Sequence, residues 1–156
     1  MEELWTPWRM PYIVANKRAT GCVFCSLLQD GKTDLVLARG PATFTVLNLY
    51  PYAVGHLMVI PYRHLSRMAA LSPAESMEMA AALKRAEGIL RRVSGATHFH
   101  AGWNLGKAAG AGVEGHLHAH LVPRGTTWQA GAHGDPVLGL SVPETFKRLR
   151  PAFSSG

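Results

Sequence analysis

The sequence predicts one α+β domain with a largely antiparallel sheet, and three observations carry that reading. Short apolar segments broken by glycine and proline lie between Leu35 and Ile60. One long segment between Ser72 and Gly95 has helical periodicity. Further strand-like segments follow it, with neither an internal repeat nor a linker between them, so the 156 residues are read as a single domain.

In chain order, residues 1–20 hold Trp5, Trp8, Tyr12 and Ile13 around Pro7 and Pro11. Prolines at that spacing argue against a helix, so this stretch is expected to be an extended aromatic arm packed on its own domain or a partner subunit. A core from 22 to 124 and a tail from 125 to 156 complete the division. Strands are expected at Leu35–Ala38, Thr43–Leu47 and His56–Ile60, separated by turn residues at Gly40-Pro41 and from Pro51 to Gly55.

The clearest helix runs from Pro73 to about Val93. Ser72 is a good N-cap, Pro73 suits the first helical position and Glu75 completes a capping box. Met79, Leu83, Ala86, Leu90 and Val93 recur at spacings of four and three, forming one apolar stripe. Met77 and Met79 are both assigned to the core on helical spacing. Gly95 ends the helix, with Arg91 and Arg92 near the negative end of its dipole. A strand at His98–Leu105, a glycine- and alanine-rich loop at Gly106–Gly115 and a strand at His116–Val122 stopped by Pro123 follow. A loop from Gly125 to Asp135 and a short helix at Glu144–Leu149 close the chain.

Bulk properties narrow the function. Sixteen Lys and Arg against ten Asp and Glu give a net charge of +6, which favours an anionic partner. The basic residues are scattered, with no basic stripe interleaved with aromatics, so nucleic-acid binding is not indicated, and a small phosphorylated substrate fits the same charge at least as well. No stretch reaches the roughly 18 apolar residues of a membrane span, and Met1-Glu2-Glu3 does not open a secretory signal. The expected location is the cytoplasm.

The chemistry concentrates at His116-Leu117-His118-Ala119-His120. In a strand, alternate side chains share a face, so the three imidazoles project together and Leu117, Ala119 and Leu121 face the core. Three imidazoles on one face need partners for their donors and acceptors. A surface patch or a simple metal site is the plain alternative to a reaction centre. The preceding loop, Gly106 to Gly115, has the backbone freedom to converge N–H groups on an anion, and Lys107 adds charge. The only cysteines form Cys22-Val23-Phe24-Cys25, either a redox dithiol or half of a metal site.

The run from His116 to Val122, with Pro123-Arg124 after it, resembles the signature of the histidine triad (HIT) family. Asn48 to Pro61, reading Asn-Leu-Tyr-Pro-Tyr-Ala-Val-Gly-His-Leu-Met-Val-Ile-Pro, resembles that family's other hallmark segment, and Asn104 falls on a strand where the family has an asparagine. The likeness spans about Cys22 to Arg124. Trp5-Thr6-Pro7-Trp8-Arg9-Met10 and Trp128 are similar to the bacterial branch that contains diadenosine tetraphosphate phosphorylases.

The resemblance implies a five-stranded antiparallel sheet with a helix packed across it, usually in a homodimer. It implies a nucleotidyl-histidine mechanism in which His118 attacks an α-phosphorus, His120 and Asn104 hold phosphate, and Asn48 contacts the ribose. Gly110 and Gly112 join the expected substrate loop, and Lys107 is added on its charge and position. Zinc-bearing members resemble Cys-Cys-His-His proteins, which assigns a structural zinc to Cys22, Cys25, His64 and His116; such a closed ligand set stabilises the fold rather than catalyses. One departure stands out. Where relatives carry Gln and Ser or Thr before the first histidine, this chain has Ala111-Gly112-Val113-Glu114-Gly115, without a hydroxyl or amide side chain. A purine-nucleoside phosphoramidase and a nucleotide-sensing module with little turnover are therefore kept beside the phosphorylase or hydrolase reading. His98 and His100 are expected to be ordinary sheet residues, His56 structural and His133 solvated.

Overall fold

The computed structural model describes residues 21–29, 35–128 and 139–155. The expected aromatic arm, His133 and residues 129–138 of the tail lie outside the described residues.

Ten short elements make up this part. Helix α1 (Val23–Gln29) precedes β1 (Val36–Arg39), β2 (Thr43–Leu47) and β3 (Leu57–Pro61). A 3₁₀ turn (Met68–Ala70) leads into α2 (Pro73–Ser94), and β4 (His98–Trp103) is followed by a second 3₁₀ turn (Lys107–Ala109). Strand β5 (Ala119–Arg124) and helix α3 (Val142–Ser154) end the chain. The strands form one antiparallel sheet in the order β1-β2-β3-β5-β4, as expected.

Register assigns the two faces. Leu47 pairs with Leu57, Leu57 with Leu121 and Leu121 with Ala101. The leucines of this row meet Ala86, Ile89 and Leu90 of α2 and Leu149 and Phe153 of α3 in the largest buried cluster among the described residues. Each fully buried Leu or Phe there is worth about 1.5–3 kcal/mol against exposure. The neighbouring row, Val46, Met58, His120 and Gly102, faces the opposite side, where Phe24 of α1 packs on Val46 and Met58. Both faces are covered, which is why β2 and β3 are buried at every position.

Helix α2 forms as its sequence demands. Ser72 accepts from the Glu75 backbone N–H, the Glu75 carboxylate accepts from the Ser72 N–H, and Gly95 closes the end in the left-handed region at φ 66°. Met79 is buried, but Met77 is 74% exposed. Two residues span about 200° of a helix, so both cannot face the core; the expectation for Met77 is corrected.

Several boundaries also differ, β1, β3 and β4 by one or two residues. Strand β5 starts at Ala119 instead of His116, and it runs through Pro123. Arg124 O accepts from Thr97 N–H, so even positions of β5 bond toward β4 and odd ones toward β3. Since β3 ends where Leu57 pairs with Leu121, the missing N–H of Pro123 costs no ladder bond. Helix α3 spans Val142–Ser154 where a shorter helix was expected, because Ser141 and Glu144 repeat the capping box found at Ser72. Helix α1 was not anticipated. Its first bond, Ser26 N–H to Cys22 O at 3.0 Å, makes Cys22 the N-cap. The Cys-x-x-Cys pair thus sits at a helix entry, but in a wholly antiparallel sheet without a βαβ unit.

Candidate active site and metal centre

Two constellations share the segment His116–His120. The first is formed by Cys22, Cys25, His64 and His116, whose ligand atoms all lie within 4.8 Å of one another. Cys22 Sγ is 3.3 Å and Cys25 Sγ 3.6 Å from His116 Nδ1, and Cys25 Sγ is 3.4 Å from His64 Nδ1. A tetrahedral zinc, with Zn–S ~2.3 Å and Zn–N ~2.0–2.1 Å, separates its sulfur and nitrogen ligands by about 3.5 Å. The four donors fit that ion. His116 Nε2–H donates to Pro61 O at 2.9 Å, which keeps the proton off Nδ1 and turns its lone pair toward the thiols. Burial and the adjacent Cys22 raise the Cys25 thiol above its ordinary value, crowding that a dication relieves.

The second constellation is a cavity of about 130 Å³ bounded by α1, β2, β3 and the glycine-rich loop. Phe24, Leu27, Val46, Met58 and Val113 form apolar walls, and Asn48, Gly110, Gly112, His118 and His120 supply the polar part. His118 is 4% exposed, and its ring stands 5.1 Å from Phe24 and 4.9 Å from His120. Its Nδ1–H donates to His116 O at 2.8 Å, which leaves the lone pair of the neutral ring on Nε2. Burial pulls the His118 pKa below the ordinary histidine value of 6.5, opposed by that carbonyl bond. The ring is therefore neutral at physiological pH.

The structure adds a fourth histidine. His56 is fully buried and immediately precedes β3. Its Nδ1 accepts from Tyr52 N–H at 3.1 Å, so in the neutral ring the proton resides on Nε2, which lies 2.9 Å from His120 Nδ1. His56 therefore donates to His120, and the proton of a neutral His120 is left on Nε2. Asn48 lies 3.2 Å from His56 through Nδ2 and accepts Tyr50 N–H through Oδ1. The two rings thus present complementary atoms, a lone pair on His118 and an N–H on His120. The expectation of a merely structural His56 missed this contact. Strand parity carries the signal, since His56 lies two residues before Met58, the partner of His120.

The remaining expected residues divide. Gly110 and Gly112 line the cavity, and a Cβ placed on Gly110 would lie 3.9 Å from Asn104 Nδ2, so Asn104 borders the same loop. Lys107 is exposed in the short 3₁₀ turn and is absent from the cavity lining. His98 and His100 are exposed on β4, as ordinary sheet residues are. The three triad rings do not form one row on a strand, because only His120 lies in β5; His116 and His118 precede it in irregular backbone. That irregularity lets His116 turn to the cysteines while His118 turns to the cavity.

Known proteins resemble this chain in sequence and in fold. Residues 30–127 match the family model described as the HIT domain. The chain is 37% identical over 161 aligned positions to the AP-4-A phosphorylase of Mycobacterium tuberculosis, covering 96% of this chain and 81% of that protein. An adenosine 5'-monophosphoramidase of Schizosaccharomyces pombe is 26% identical, covering 86% of this chain and 96% of the relative. Among solved structures, a zinc-bound histidine triad protein from Mycobacterium smegmatis superposes with a TM-score of 0.68 at 27% identity. That alignment covers 86% of this chain and 94% of the other.

Proposed function

Since this chain belongs to the HIT family, we propose that it is a nucleotidyl-transfer enzyme acting on dinucleoside polyphosphates such as diadenosine tetraphosphate. The observation that carries the reading is the pairing of a neutral His118, its Nε2 lone pair directed by the His116 carbonyl, with a His120 whose Nε2 holds the proton. The likeness to the mycobacterial phosphorylase supports the substrate class.

The nucleotide sits with its base between the apolar walls of α1 and β2 and its phosphates at the Gly110–Gly112 loop. His118 Nε2 forms a bond to the α-phosphorus while the bond to the departing polyphosphate breaks. The N–H of His120 and the loop amides stabilise the charge on the phosphoryl oxygens. Phosphate or water then attacks the nucleotidyl-histidine and restores the free imidazole. The loop carries no hydroxyl or amide side chain between Ala111 and Gly115, so backbone N–H groups do this work. Asn48 and Asn104 are assigned to ribose and phosphate. Lys107 acts as an outlying phosphate contact, so Lys107→Ala raises KM and leaves kcat unchanged; unaltered kinetics remove that role.

A bound zinc would be held by Cys22, Cys25, His64 and His116 and would brace the fold. We assign a homodimer from the family pattern, in which β4, an edge strand of the sheet, is available for sheet extension.

Incubation with diadenosine tetraphosphate, with and without inorganic phosphate, tests the reaction. Phosphate-dependent ADP plus ATP supports the phosphorylase, and AMP plus ATP without phosphate supports a hydrolase. Turnover retained by His118→Ala removes the mechanism. Turnover of an adenosine phosphoramidate alone favours the phosphoramidase, a reading supported by the fission-yeast relative.

A further inference from the structure

The segment between β3 and the first 3₁₀ turn has no regular structure, yet it supplies one of the four candidate metal ligands. His64 is exposed there, and Cys25 Sγ is the only hydrogen-bonding partner of its ring among the described residues. An exposed ring on irregular backbone does not hold its own position, so its neighbours must. Tyr62 N–H donates to Ala42 O at 2.9 Å, and Leu65 O accepts from Leu117 N–H at 2.6 Å. Arg63, directly before His64, is tied through its guanidinium.

That tie is a closed fork. Arg63 Nε donates to Glu75 Oε1 at 2.6 Å, and Nη2 donates to Glu75 Oε2 at 2.6 Å and to Ala70 O at 2.8 Å. The Glu75 side chain is 9% exposed, and its Oε2 also accepts the Ser72 N–H at 2.7 Å as part of the cap of α2. Most surface ion pairs contribute little. A bidentate fork on a carboxylate that is already fixed is the exception, because less side-chain freedom is left to lose. The cap uses one oxygen of Glu75, and Oε1 is bound by Arg63. The fork therefore serves the loop rather than the start of the helix.

Where this loop sits decides the ligand distances. His64 Nδ1 is 3.4 Å from Cys25 Sγ, and its ring lies 5.0 Å from that of His116. Tetrahedral zinc holds its nitrogen ligands at ~2.0–2.1 Å, so a loop free to drift would lose the fourth ligand. Of the restraints beside His64, the fork is the one that reaches α2, whose Met79 and Leu90 are fixed in the core.

We infer that Arg63, acting through Glu75, is a positioning residue for the metal centre: the fork ties His64 to the first turn of α2 and raises zinc affinity. The inference rests on the assignment of zinc to Cys22, Cys25, His64 and His116.

Zinc affinity of the full chain, stripped of metal and reloaded, is measured by competition with a chromophoric chelator, and cobalt(II) absorption reports the ligand geometry. Arg63→Ala and Glu75→Gln are each expected to weaken zinc binding by roughly 10–100-fold, the usual cost of losing a group that orients a ligand. Arg63→Lys keeps the charge without the fork, should fold as wild type does, and should recover only part of the loss. A merely structural fork would lower the melting temperature of the metal-free protein and leave zinc affinity unchanged, and that result overturns the inference. His64→Ala supplies the second check, because its three remaining ligands still bind zinc, more weakly. Arg63→Ala introduced beside it should add no further loss of affinity. A further tenfold loss in the double variant shows that Arg63 does not act through His64, and overturns the inference as well. Wild-type protein that binds no zinc removes the metal centre itself and the positioning role with it, whereas unchanged affinity in Arg63→Ala removes the positioning role alone.

Discussion

The carbonyl oxygen of His116 accepts the Nδ1–H of His118 at 2.8 Å, while Nδ1 of the same His116 faces Cys22 Sγ at 3.3 Å. One residue therefore joins the candidate metal centre to the proposed nucleophile, through its ring on one side and its backbone on the other. A change in how His116 is held reaches the ring that reacts.

Metal removal should accordingly affect chemistry as well as stability. Chelation of zinc is expected to lower the melting temperature and to reduce kcat by roughly 10–100-fold, the usual effect of losing a supporting interaction at a site. Zinc content and steady-state kinetics measured on the same samples check this. Fully demetallated protein that melts and turns over unchanged contradicts the coupling.

Replacing His56 by Ala should reduce kcat by about 100-fold, as misplacing a catalytic group does, with little change in KM. His56 touches His120 and not the nucleophile, so the effect arises from the tautomer of His120. Nitrogen-15 spectra of the wild-type protein should show His120 protonated at Nε2, and a protonated Nδ1 refutes the relay.

The apolar walls of the cavity, where the proposed function seats the base, are Phe24, Leu27, Val46, Met58 and Val113, which offer no hydrogen bonds to a purine edge. Sites that read such edges discriminate by roughly 10⁴–10⁵, whereas apolar pockets manage only ~10–200-fold. Adenine and guanine dinucleoside polyphosphates should therefore differ in kcat/KM by no more than about 10-fold. A ratio above a thousand would mean that a polar group outside these walls reads the base.

Glu75 links stability to pH. Its bond to Arg63, and then the Ser72 backbone N–H, hold its carboxyl at about 2 instead of the ordinary 4.5. Between those values the unfolded chain binds the proton and the folded one does not, so stability rises with pH across that window. Wild-type protein should exceed Glu75→Gln in urea midpoint at pH 7, and the gap should close as pH falls from 4.5 to 2. A gap independent of pH would show that the carboxylate charge contributes nothing.

Legibility followed the range of the interactions. Helix α2 was readable because its cap, its stripe and its terminating Gly95 are all local. The second capping box, Ser141 to Glu144, was equally local, yet the helix expected at Glu144–Leu149 is shorter than the observed Val142–Ser154, which holds Pro151 inside it. Helix α1 was missed since seven residues give too little periodicity, and its buried face depends on Phe24 meeting Val46 and Met58. The row of three imidazoles was inferred from period-two alternation, which fails where the backbone is not a strand.

By itself the sequence determined the fold class, the long helix, the cysteine pair and the histidine cluster, since each rests on neighbours within a few positions. Only the tertiary structure decided what the histidines contact. His56 lies 64 residues from His120 and Cys22 lies 94 from His116, and chain spacing carries no information about contacts of that span. Sheet register brings the first pair together, and the docking of α1 brings the second. Hydrogen bonds to Pro61 O and His116 O and from Tyr52 N–H then assign each proton, and that assignment separates four similar rings into the proposed ligand, the proposed nucleophile and a hydrogen-bonded pair.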